Sequence, residues 1–355
     1  MKMNFRAALI SVALVAGSIV PGAVYSGDLL KANGVSTIND AIDYYLTIDP
    51  NNDRYNQADF REFNGFNATG SNGPNEVVVV AGHKNVSDLG FWRRIEMVID
   101  KRSGKAGNVA MTTYNFEVGP NDPNPNGLTK CCDPANAKSI VNMEYSPGPN
   151  GDRFTKFYIY KADGSRDYST VFDPNPATAE ELYLPNGCAA CHGGGKNFRT
   201  RGGKTGGGFL AFDFNVFDYT GSNTTRAANE ANVKKLNQGV LMTRPNDAVK
   251  WLLSGLYGGN KLPRATQNAN WLPSDWATEP ALWRVVVTDC QGCHTQSEIE
   301  VRNLDYWKDS ARSIRELIFK EKTMPNAPYS NSIFWDTTHN NHLQTVNDAL
   351  TRFGH

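Results

Sequence analysis

Short apolar runs separated by polar turns fill the first half of the chain, and this spacing is typical of β-strands. The segment 162–165, which carries Asp163-Gly164, lies between two such runs and predicts a hairpin. We therefore expect residues 27–175 to form a mainly β domain of unknown role. The predicted strands lie at 77–81, 91–100, 109–118, 140–145, 154–161 and 167–172.

Apolar residues in the second half recur at intervals of three and four, which predicts amphipathic helices. The stretch 303–322 shows this stripe most clearly, at Ala311, Ile314 and Ile318. Residues 176–355 are therefore expected to form a mainly α domain, and the whole chain to belong to the α+β class. Further helices are predicted at 229–242, 247–257, 281–289 and 343–353.

The N-terminus has the layout of a secretory signal peptide. Lys2 and Arg6 precede an apolar run that ends before Pro21, and small residues follow. We expect residues 1–26 to be removed, because the run is shorter than a membrane span needs and no basic stop follows it. Later stretches are not apolar enough to cross a bilayer, so we expect no membrane span after cleavage and a mature chain that is periplasmic or secreted.

Composition places the chain among globular proteins and argues against some partners. Hydrophobic residues make up 40% of its 355 residues, which is enough for a sizeable core, and 36 basic residues balance 36 acidic ones. No run of like charges suggests binding to nucleic acid or a polybasic contact with a membrane. Any specific chemistry must therefore come from individual motifs rather than from net charge.

Four of the six cysteines lie in two copies of a Cys-x-x-Cys-His motif. Two thiols three positions apart on a helical turn reach the two vinyl groups of one porphyrin, and the adjacent His then lies under the iron. A zinc site built from both pairs leaves the two histidines unexplained, and a thioredoxin-like pair would require a βαβ context. The motif residues are Cys188, Cys191, His192, Cys290, Cys293 and His294.

On these motifs the chain resembles the c-type cytochromes, over roughly residues 177–355. The resemblance implies a di-haem cytochrome c domain, in which two haem c groups are attached to the four motif cysteines through thioethers. It also implies that His192 and His294 are axial iron ligands. In class I cytochromes c a Met followed by Pro often supplies the second axial ligand, so Met324, which precedes Pro325, is the candidate for the second haem.

The distal ligand of the first haem stays open at this point. Met242 is one candidate, because it follows an amphipathic helix and has Pro245 nearby. His83 is the other, because it follows the apolar run 77–81, which is expected to form a buried strand. A different group, or an open position on the iron, is the remaining alternative.

Cys131 and Cys132 are adjacent and belong to neither motif. In an oxidising compartment, two leftover thiols are expected to join as a vicinal disulfide. The alternative is a redox-active or haem-ligating thiolate, since some di-haem sulfur-oxidising cytochromes use a Cys ligand.

Two classes of function fit the haem motifs. The first is an electron carrier, with both irons six-coordinate and redox proteins as partners. The second is a haem enzyme with one open iron, such as a di-haem peroxidase-like protein or a sulfur-compound oxidoreductase. Di-haem peroxidases have their first motif much nearer the mature N-terminus, so electron transfer is favoured, while enzyme activity stays undecided.

Both motifs are expected to belong to one packed unit. The stretch 258–273 is the only plausible linker between them, and it contains Trp271 and Leu272, which a free linker would not need. The alternative is two independent cytochrome domains joined by that linker.

Mass spectrometry of the denatured mature protein tests the haem assignment. Two motifs predict two haems per chain, held through four thioethers that survive denaturation. Expression in a host with a working haem-attachment system should therefore give the apoprotein mass plus two haems. The bare apoprotein mass under these conditions would contradict the assignment.

Overall fold

The computed structural model combines a sheet in the N-terminal half with helices in both halves. This mixed architecture confirms the expected α+β class at the level of secondary structure. The structure describes residues 34–123, 126–171, 181–194, 196–259, 262, 264–295, 301–322, 324–325, 327–338 and 340–354. The expected signal peptide, residues 1–26, lies outside these described residues.

A six-stranded antiparallel sheet organises the first half of the chain. The strands are β1 (Val77–Asn85), β2 (Trp92–Ile99), β3 (Val109–Phe116), β4 (Ser139–Pro147), β5 (Arg153–Lys161), β6 (Ser169–Val171), β7 (Glu181–Tyr183) and β8 (Phe217–Asp218). The large sheet has the order β5-β4-β3-β2-β1-β8, and β6 pairs with β7 separately. All six predicted strands are present, because short apolar runs bounded by turns bury well in an antiparallel sheet.

The sixth strand of the large sheet comes from the second half of the chain. β8 pairs with Lys84 and Asn85 at the end of β1. The backbone amide of Val86 continues this contact by donating to the carbonyl of Val216 at 2.9 Å. Main-chain hydrogen bonds therefore join the sheet to the segment that lies between the two motifs.

The helices are α1 (Ile38–Ile48), α2 (Gln57–Phe63), α3 (Asn186–His192), α4 (Arg226–Met242), α5 (Asp247–Leu256), α6 (Pro280–Val285), α7 (Gln291–His294), α8 (Leu304–Asp309), α9 (Ala311–Arg315), α10 (Pro328–Trp335) and α11 (His342–Arg352). The sequence did not predict α1 and α2. Each begins with a capping box, formed by Thr37 and Asp40 in α1 and by Asn56 and Asp59 in α2. The first residue of each pair caps the helix, and the Asp side chain accepts a hydrogen bond from the backbone amide of that capping residue. Within the described ranges, none of the helices has the length and apolar character needed to cross a bilayer.

The long helix expected at 303–322 is divided in the structure. Its residues form α8 and α9, which meet at Ser310, and then a π-helical turn, Glu316–Lys320. A second π-helical turn, Val286–Cys290, follows α6 and leads directly into the second motif. Such turns widen the helix locally and are frequent at functional sites.

Two hydrophobic cores meet between the halves of the molecule. The larger lies on the sheet and includes side chains of α4 and α5, whereas the smaller surrounds Trp276 and Trp283 and includes side chains of α6 and α8 to α11. Phe217, Trp251 and Trp271 pack against both cores. Because Trp271 belongs to the only plausible linker, its packing favours one shared unit over two tethered domains.

Five charged side chains form a buried cluster where the loop between α1 and α2 meets β4 and β5. The Arg54 guanidinium lies 2.7 Å from Glu144 and 2.9 Å from Asp49. Lys156 lies 3.3 Å from Glu144, and Arg166 lies 3.2 Å from Asp49. Burial alone would raise the pKa of Glu144, but the Arg54 and Lys156 charges outweigh it and hold that pKa well below its usual range.

Replacing Glu144 tests how strongly this cluster supports the sheet. Glu144→Gln keeps the shape but leaves three buried cations with a single carboxylate, so we expect a loss of about 3–5 kcal/mol in the free energy of unfolding. Denaturant titration of the purified protein at neutral pH measures the loss. Because the folded pKa is lowered, the contribution of Glu144 should also fade as the pH falls below its unfolded pKa of about 4.3.

Asp152→Asn is the matched control, because Asp152 pairs with Lys204 at the exposed surface. Solvent screens such a pair, so this variant should unfold at nearly the wild-type denaturant concentration. Equal midpoint shifts for the two variants would show that the buried cluster has no special part in stability.

Candidate functional site

The two Cys-x-x-Cys-His motifs lie side by side although they are far apart in sequence. α3 carries the first motif, and Cys290 together with α7 carries the second. The two helices pack against each other, and the Sγ atoms of Cys191 and Cys293 are 3.4 Å apart. The fold therefore brings all six motif residues to one place.

The motif cysteines are thiols in an apolar setting. None of the four forms a disulfide. Burial raises the pKa of Cys188 to about 12 and also raises that of Cys290. The hydrogen bond to Cys191 and then burial raise the pKa of Cys293. In Cys188, Cys290 and Cys293 the protonated thiol is therefore favoured over the thiolate at neutral pH.

A backbone carbonyl and an aromatic ring lie next to the imidazole of His192. Its Nδ1 lies 2.9 Å from the carbonyl oxygen of Gly208, and its ring lies 5.5 Å from the ring of Phe157 in β5. A proton on Nδ1 that is donated to this carbonyl leaves the lone pair on Nε2. Loss of solvent around the ring lowers the pKa of His192, which favours the neutral form that binds metals.

A glycine-rich loop positions the carbonyl that His192 contacts. The amide of Gly208 donates to the carbonyl of His192 at 3.1 Å, so the two residues are bonded in both directions. A Cβ built on Gly194 would lie 2.4 Å from the amide nitrogen of Gly207, and one on Gly207 would lie 2.7 Å from the carbonyl of Gly193. The loop can therefore fold back on itself only because these positions lack side chains.

The second motif rests on the residues that follow β1. A Cβ built on Gly292, between the two motif cysteines, would lie 2.7 Å from the Ser87 carbonyl oxygen. Asp289 precedes the motif, and its Oδ2 lies 2.7 Å from Nδ1 of His342. Loss of solvent lowers the pKa of His294 to about 4, so this imidazole is also neutral at physiological pH.

The three candidate distal ligands have different surroundings. Met324 is partly buried against the smaller hydrophobic core, together with Cys290 and Phe319. Met242 is the last residue of α4, and 44% of its surface is exposed. His83 is completely buried, at 0% exposure. The structure therefore brings Met324 to the same core as Cys290 of the second motif, whereas it leaves nearly half of Met242 exposed.

Cys131 and Cys132 form a vicinal disulfide, as the sequence predicted. Both sulfur atoms lie 3.9 Å from the carbonyl oxygen of Arg93 in β2. Cys132 also lines a groove of about 280 Å³ beside Ala81 and Gly82 of β1.

An ion pair that the sequence did not reveal lies between the motifs and the sheet. Arg93 Nη1 is 2.8 Å from Asp88 Oδ2. After burial, the Arg93 charge contributes to the lowered pKa values of both His83 and His192. Asp88 contributes to the raised pKa of Cys293. No motif signals this pair, because only the tertiary fold brings β2 and the end of β1 next to the cysteines.

Within the described ranges, no three His, Cys, Asp or Glu side chains converge as the ligands of a bare metal ion would. A haem iron takes only one or two protein ligands, so this observation does not bear on haem binding. No family model, curated protein or solved structure matches the chain.

Proposed function

We propose that this protein is an exported di-haem c-type cytochrome that transfers electrons between redox proteins. The observation that carries the proposal is the contact between α3 and α7, with the Sγ atoms of Cys191 and Cys293 3.4 Å apart. Two haem sites that exchange electrons gain from lying close together, whereas a zinc site built from both cysteine pairs would leave the two motif histidines unexplained. Export through residues 1–26 and a haem domain at 176–355 belong to the same proposal.

The motif residues supply the attachments that two haem c groups require. Cys188 and Cys191 would hold the first group, and Cys290 and Cys293 the second. When bound, each haem supplies one-electron chemistry at its iron. The rest of the chain has to keep each iron in place and surround it with apolar side chains.

His192 and His294 are proposed as the proximal ligands. Gly208 orients His192 by accepting a hydrogen bond from its Nδ1, which also makes Nε2 a stronger donor to a metal. Desolvation keeps both imidazoles neutral, so neither has to lose a proton before it binds iron. These two features pre-organise the site for stable ligation.

Met324 is proposed as the distal ligand of the second haem. Its side chain is partly buried against the same hydrophobic core as Cys290 and Phe319, on the segment after α9. Thioether ligation would raise the reduction potential of that haem, and the core that contains Trp283 would keep water away from it. The second haem would then be the better electron acceptor of the two.

An absorption spectrum of the oxidised protein, recorded with and without cyanide, tests electron transfer against a haem enzyme. A carrier has two ligands on each iron, so we expect two low-spin haems and no spectral shift at a modest excess of cyanide. A high-spin component that cyanide converts to low spin would reveal an open iron. That result would contradict the carrier and favour a peroxidase-like or sulfur-compound oxidoreductase.

A further inference from the structure

His83 has a buried ring whose nitrogen atoms both lack partners. The side chain has no exposed surface, and among the described residues neither Nδ1 nor Nε2 has a hydrogen-bond partner. A buried polar group without a partner destabilises the fold, so it needs an explanation. Phe217 stacks on the ring at 4.2 Å, which holds it in place but satisfies neither nitrogen.

A bulge in β1 decides which face of the sheet His83 occupies. Ala81 pairs with Arg94 and His83 pairs with Arg93, so Gly82 is an extra residue on β1. Gly82 has φ +74°, a backbone conformation that residues other than glycine rarely adopt. Because side chains alternate along a strand, the extra residue turns His83 to the face opposite Ala81.

Phe157, which contacts His192, lies on the same face of the sheet as His83. Phe157 on β5 is aligned with Met97 on β2 through the cross-strand pairs of β4 and β3, so the two side chains share a face. Arg93 is four residues from Met97 on β2 and therefore lies on that face as well. Phe157 packs against the His192 ring. His83 and His192 therefore lie on one side of the sheet.

A common neighbour links the two imidazoles. The Arg93 charge acts on both His83 and His192, and Asp88 holds its guanidinium at 2.8 Å. Arg93 also faces His83 directly across the sheet, because the two residues pair between β1 and β2.

We propose that His83 is the distal axial ligand of the first haem, in place of Met242, so that the sheet completes the haem site. This inference rests on the proposed function, because it requires a haem on Cys188 and Cys191. The 44% exposure of Met242 argues against that residue, since a thioether in solvent gives the iron no apolar shelter.

The assignment gives electron transfer a direction. With this assignment His83 and His192 would hold the first haem and His294 and Met324 the second, and the thioether ligand would give the second haem the higher reduction potential. Electrons would then pass from the first haem to the second, with a reduced redox protein as the donor to the first and an oxidised redox protein as the acceptor from the second.

His83→Ala in the full-length holoprotein tests the assignment, with electron paramagnetic resonance of the oxidised form as the readout. We expect the low-spin signal of one haem to be replaced by a high-spin signal, and added imidazole to restore it. The near-infrared thioether-to-iron band of the second haem should stay unchanged. Met242→Ala is the control, and it should leave every signal as in the wild type.

Several results would overturn the assignment. They are an unchanged low-spin signal in His83→Ala with two haems attached, loss of the thioether band in that variant, or a high-spin signal in Met242→Ala. If His83→Ala does not accumulate, near-infrared magnetic circular dichroism of the wild type decides, because one bis-imidazole and one His–Met haem are required. A wild-type chain that carries no haem would instead refute the proposed function.

Discussion

The contact between the two motif helices is the constraint on which the rest of the structure depends. Cys191 and Cys293 are separated by about a hundred residues of chain, yet their sulfur atoms are 3.4 Å apart. The intervening residues are folded so that this contact can form. They contribute β8 to the sheet, α4 and α5 to the larger core, and Trp251 and Trp271 to the boundary between the cores.

Glycine residues, which have no side chain, are as important for this arrangement as the packed side chains are. Gly292 lets the second motif approach Ser87, and Gly207 lets the loop after α3 return to His192. Gly82 forms the bulge that turns His83. At each position a Cβ would meet another atom within 3 Å, so larger residues would push the sheet, the loop and the motif helices apart. Close packing at these glycines therefore sets where the sheet, the loop and the motif helices lie.

The sequence predicted what depends on local pattern and missed what depends on tertiary contact. The strands follow from short apolar runs, and the motif spacing identifies four cysteines and two histidines without any fold. The division of the stretch 303–322 into α8 and α9 was missed, because its apolar stripe continues across Ser310. The Arg93–Asp88 pair has no sequence signal at all. The capping box at Thr37 was readable in the sequence and was overlooked.

Magnetic coupling between the two ferric irons tests the central claim most directly. If adjacent motif helices place both haems in one unit, pulsed electron paramagnetic resonance of the oxidised holoprotein should show dipolar coupling between the irons. Reduction of one haem should then shift the reduction potential of the other. Two uncoupled signals that titrate independently would contradict a shared unit, and with it the account of this protein as a paired electron carrier.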